Sequence, residues 1–70
     1  MRPPPAPFKK GDRIRLVNMP NDPNPIEPDS TGTVINEPVW FEPTWQITVA
    51  WDNGRGLNLC VPPDVAVLLD

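Results

Sequence analysis

Three observations on the 70-residue chain point to an all-β domain. Apolar and polar residues alternate over short runs, the period of a half-buried strand. Twelve prolines and four glycines punctuate those runs too closely for helices. Nowhere do apolar residues recur at helical spacing over two turns. The short strands that remain are too few for two packed sheets, but they can curl into a small five-stranded barrel that leaves few open edges.

The first strand is expected over residues 13–18, where Arg13 and Arg15 alternate with Ile14 and Leu16 after the turn signal Gly11-Asp12. A long proline-rich loop follows, stiffened by Pro20, Pro23, Pro25 and Pro28. "TGTVIN" opens a second strand over 32–37, with Val34 inward and Pro38 ending it. "WQITVAW" gives the third, 45–51, with Trp45, Ile47, Val49 and Trp51 on one face. "DNG" then predicts a type I′ hairpin turn, because Asn and Gly both accept positive φ. The returning strand, 55–60, points Leu57 and Leu59 inward. "VPPD" cannot continue a ladder, since two successive residues lack N–H groups, and fits one turn of 3₁₀ helix. The last strand is expected over 65–69. The predicted core is Ile14, Leu16, Val34, Ile47, Val49, Trp51, Leu57, Leu59 and Val67. Residues 1–7, "MRPPPAP", form a proline-rich leader expected to be extended and poorly ordered, so the domain proper runs over 8–70.

Composition excludes several classes. Cys60 is the only cysteine, so no disulfide forms within the chain, and without histidine a tetrahedral metal centre is not expected. No cofactor is expected. No apolar run approaches the ~20 residues of a membrane span, and the start has no secretory core segment. A cytoplasmic protein with a reduced thiol is the simplest expectation. The net charge of −3 divides unevenly: Arg2, Lys9, Lys10, Arg13 and Arg15 face Asp12 alone in the first fifteen residues, whereas the rest sets eight carboxylates against Arg55. The basic first strand is therefore expected to lie among acidic neighbours and pair with them.

Taken together, "KGDRIRL…DPNPI…TGTV…WDNGR-x-L" resembles a family of small, uncharacterised bacterial and phage proteins known only as a domain of unknown function, with an SH3-like barrel. The resemblance covers residues 9–70 and implies a fold, with origin in a mobile element, but no mechanism. The insert "EPVWFEPTW" is richer in proline and aromatics than the short turn that the resemblance implies.

With neither histidine nor tyrosine, catalysis is not expected, and Cys60 has no base to activate it. A small plasmid-borne reductase is a remote alternative, being a similar barrel active as a tetramer. Its glutamine-and-tyrosine strand motif has no counterpart at "GLNLCVPP". The expected function is a non-enzymatic binding or assembly module for a protein or peptide partner, or for its own copies. Trp40 and Phe41 lie between prolines in a predicted loop, and adjacent residues of an extended chain cannot both face one core. The SH3-like topology implied by the resemblance brings residues 20–28 and 38–45 to one end. Asp22, Pro25, Glu27, Trp40, Phe41, Glu42, Trp45 and Pro63 would then line a groove for a basic or proline-containing segment. The alternative is nucleic-acid binding through Lys9, Lys10, Arg13 and Arg15, opposed by the acidic remainder.

Overall fold

The structure, a computed structural model, describes residues 2–69. It is all-β, with seven strands in two antiparallel sheets. These are β1 (Arg13–Asn18), β2 (Thr31–Val34), β3 (Val39–Phe41), β4 (Thr44–Ile47), β5 (Val49–Trp51), β6 (Leu59–Val61) and β7 (Val65–Leu68). One sheet runs β5-β2-β1-β7 and the other β3-β4-β6. Five strands were expected; two more arise because two segments bend and serve both sheets. Thr48 alone separates β4 from β5. Val34 pairs with Val49 and Val39 with Gln46, so residues 35–38 stand opposite residues 47–48 only. That excess is a bulge, which curls a hairpin around the core. The Ile35 N–H donates to the Thr48 carbonyl at 3.0 Å and carries the pairing across the bend.

The core follows from alternation. Ile14 and Leu16 on β1, Val34 on β2, Ile47 on β4, Val49 and Trp51 on β5 and Leu59 on β6 are all buried. Two expectations need correction. Val67 is 37% exposed, and Ala66 packs partly against the core instead. The β1–β7 pairing explains it, because Ala66 lies opposite buried Leu16 while Val67 lies opposite Arg15 on the outer face. Leu57 is only half-buried, because residues 55–58 form no strand; β6 is shorter and later than predicted.

Three buried residues were not expected: Phe8, Met19 and Ile26. Met19 and Ile26 anchor the proline loop, which is a structured excursion. Leu16 N–H donates to the Ser30 carbonyl and Asp29 N–H to the Leu16 carbonyl, both at 2.8 Å. Asp29 takes φ 71°, a left-handed conformation that aspartate tolerates better than most residues. Arg55 fastens the middle of the loop by donating to the carbonyls of Asn24 (2.7 Å) and Pro25 (3.2 Å).

The turn after β5 also differs from expectation. Gly54 has φ 84°, Asn53 is not in the positive region, and the Gly54 N–H donates to the Trp51 carbonyl at 2.9 Å. A type I′ turn needs positive φ at both residues, and β5 and β6 pair with different partners, so no tight hairpin forms here. Trp51 Nε1 holds the wider loop by donating to the Leu57 carbonyl at 2.7 Å. Residues 61–64 make a turn without 3₁₀ structure, with cis bonds before Pro62 and Pro63. The Asp64 N–H donates to the Cys60 carbonyl, and the Cys60 N–H donates to Asp64 Oδ2, each at 2.9 Å. No helix in the described residues is long and apolar enough to cross a membrane.

Candidate functional site

The expected groove is divided in two. A concavity of about 420 Å³ is lined by Asn21 and Asp22 of the proline loop, by Gly56–Asn58 and Cys60, and by Pro63 and Asp64. A second, of about 430 Å³, is lined by Ala6–Lys9, Asp12, Glu37, Pro38 and Trp45. Asp22 and Pro63 thus meet, whereas Trp45 belongs elsewhere. Neither concavity takes residues from both 20–28 and 38–45.

The first concavity is acidic with apolar walls. Asp22 is fixed by an Asx turn, its Oδ1 accepting the Asn24 N–H at 2.9 Å. Asp64 is only 7% exposed although it is a carboxylate. Its Oδ2 accepts the Cys60 N–H, and its Oδ1 has no donor among the described residues. Burial pushes the Asp64 carboxyl above the usual range, the Cys60 N–H opposes this, and Asp22 adds to it. Burial likewise raises the Cys60 thiol, with Asp64 and Asp22 reinforcing the shift. This shift disfavours a thiolate at Cys60, and the two carboxylates give the concavity a negative field. None of the lining residues is basic.

Trp40 and Phe41 lie on a paired strand rather than in a loop. Trp40 is directly opposite Trp45, their rings 5.3 Å apart between centroids and tilted by 58°. Both are half-buried and extend the inner face of the sheet beyond Ile47 and Leu59. The Trp45 Nε1 donor is buried with no partner among the described residues. Val39 and Phe41 face outward on this edge strand and are 59% and 65% exposed. Glu42 sits exposed at the hairpin tip, and Pro25 and Glu27 are exposed on the proline loop without lining either concavity.

Half of the basic strip is engaged: the two arginines of β1 pair with carboxylates, as charge mixing predicts. Arg13 grips Asp52 through both terminal nitrogens, at 2.9 and 2.7 Å, and Nη1 also reaches Thr33 Oγ1. Thr31 donates to the same carboxylate at 2.6 Å. Arg15 pairs with Asp29 at 2.8 Å. Lys9 and Lys10 remain exposed, without a carboxylate partner among the described residues.

Asn21, Gly56, Asn58 and Asp64 were not singled out from the sequence. Their only signal is proximity to Asp22, Leu57 and Pro63 across three loops, which no local pattern reveals. A family model described as Domain of unknown function (DUF4314) matches residues 6–68, and the chain belongs to that family. No curated protein and no solved structure matches the chain.

Proposed function

We propose that this DUF4314 member is a non-catalytic binding module that receives an extended, basic protein segment in the acidic concavity. The observation that carries the reading is Asp64, a carboxylate 7% exposed on the wall of an open groove, held by the Cys60 N–H and lined up with Asp22 but with no cation among the lining residues. A guanidinium or ammonium entering the groove gives these carboxylate oxygens a charge-assisted partner in place of solvent. Asp22 supplies the second negative group, and Leu57 and Pro63 supply apolar contact for the stem of a long basic side chain. The raised thiol and the lack of histidine speak against nucleophilic chemistry at the same place.

The test is a titration of the isotopically labelled full chain with a short arginine-containing peptide and its glutamate counterpart, followed by amide shifts. The arginine peptide is expected to shift residues 21–22, 56–60 and 63–64. The shifts should weaken in Asp22→Asn, which keeps the Asx turn but removes the charge. Absence of shifts in the groove, or equal shifts with the glutamate peptide, would overturn the reading.

A further inference from the structure

Internal pairing leaves the charges of the chain unevenly spent. Arg13 and Arg15 hold carboxylates, and Arg55 is engaged with two carbonyls. Among the described residues, the cations without such partners are Arg2, Lys9 and Lys10, all within the first ten positions. The acidic concavity, in contrast, contains two carboxylates and no cation.

The leader that carries Arg2 has the form of a ligand. Residues Arg2–Pro7 read "RPPPAP", are exposed throughout and join no strand. Proline fixes φ near −65°, so this backbone is already extended and loses little freedom when held. It has few N–H groups to satisfy, and it presents pyrrolidine faces beside one guanidinium. The leader joins the barrel at buried Phe8, and Ala6 and Pro7 line the second concavity, which shares no residue with the acidic one.

Building on the proposed basic-segment reading, we infer that the occupant of the acidic concavity is the leader of a second copy of this chain. Arg2 of one copy meets Asp22 and Asp64 of the next, a fork of donors against two carboxylates. The leader prolines lie against Leu57 and Pro63. The two surfaces differ, so the contact is heterologous and copies join head to tail. It rests mainly on charge, so added salt weakens it.

Sedimentation of the full chain over a concentration series, at low and high salt, tests this with two variants. The unmodified chain is expected to grow in size with concentration at low salt and to revert to monomer at high salt. Arg2→Ala and Asp22→Asn should each weaken association by about tenfold or more, the scale of one lost charge-assisted contact. Lys10→Ala, with the same loss of charge, should weaken it less. An equimolar mixture of Arg2→Ala and Asp22→Asn should form dimers that grow no further, since one variant lends its groove and the other its leader. A monomer at every concentration in low salt would overturn the inference, as would equal effects of Arg2→Ala and Lys10→Ala. If the arginine peptide still shifts the groove residues of such a monomer, the leader inference falls alone. If the peptide fails too, both readings fall.

Discussion

Gly32 is where a single methyl group should separate steric need from backbone need. It lies on β2 opposite Trp51 of β5, with its φ outside the positive region. A Cβ added there would stand 2.7 Å from Val49 Cγ1, 2.9 Å from the Ala50 carbonyl oxygen and 3.1 Å from Trp51 Cε3. The valine methyl can rotate, but the carbonyl is ladder backbone, so β2 and β5 must part to make room. Overpacking of this kind costs about 1–3 kcal/mol. Alanine also restricts the unfolded chain, which returns roughly 0.4–1 kcal/mol. The net loss is therefore up to about 2.6 kcal/mol, centred on about 1.3 kcal/mol, or roughly 5–10 °C in Tm for a chain of this size. Gly56 is the control, since a Cβ there meets nothing within 4 Å and its φ is not positive. Thermal unfolding followed by circular dichroism should show Gly32→Ala melting lower and Gly56→Ala unchanged or slightly higher. A Gly32→Ala melting point at or above the unmodified value would refute the reasoning, as would equal losses in both variants.

Leu59→Ala empties a fully buried position and should cost about 2–5 kcal/mol, much of the roughly 4–10 kcal/mol available to a domain of this length. Urea titration should show a lower midpoint with unchanged slope, and a shift below about 1 kcal/mol would contradict the assigned core. The Arg13 hydrogen bonds, followed by that of Thr31, hold the Asp52 carboxyl well below the usual carboxylate range. Its folded pKa lies below its unfolded one, so its contribution is present above about pH 4 and is lost as pH falls toward the folded value. Asp52→Asn should flatten the acid limb of a stability–pH curve; an unaltered limb would count against the network. The raised Cys60 thiol leaves less thiolate at mildly alkaline pH. The pH profile of its alkylation should turn at higher pH than that of a free cysteine peptide, and Asp22→Asn should lower the turning point. A profile matching the peptide would argue against burial and carboxylates acting on the thiol.

What could be read in advance was whatever repeats along the chain. Alternation placed Ile14, Leu16, Ile47, Val49, Trp51 and Leu59 correctly, because the pleat sends every second residue to one face. Met19 and Ile26 escaped because each is a lone apolar residue among prolines, buried by the path of a loop and carrying no period. Val67 misled for a related reason: alternation identifies a face but not which face, and the pairing of β7 with β1 decides that. The bends at 35–38 and Thr48 leave no signal beyond Pro38, so the sequence alone suggests a loop where the structure has an aromatic hairpin. Asp22 and Pro63 could be nominated from their loops, but Asp64 could not. Its importance arises from burial and from the Cys60 N–H, both products of the prolyl turn closing on itself.

The bent hairpin also bears on how the domain comes apart. Both sheets draw strands from the same two stretches of chain, one holding β2 and β3 and the other β4 and β5. Release of one sheet is therefore expected to loosen the other, because the two share both bends. A chain this short then has little room for partly open forms in which one sheet survives. Amide protons of Val34, Ile47 and Val49, though divided between two sheets, should exchange with solvent through one common opening and with similar free energies. Two small sheets would then behave, toward solvent, as a single cooperative unit.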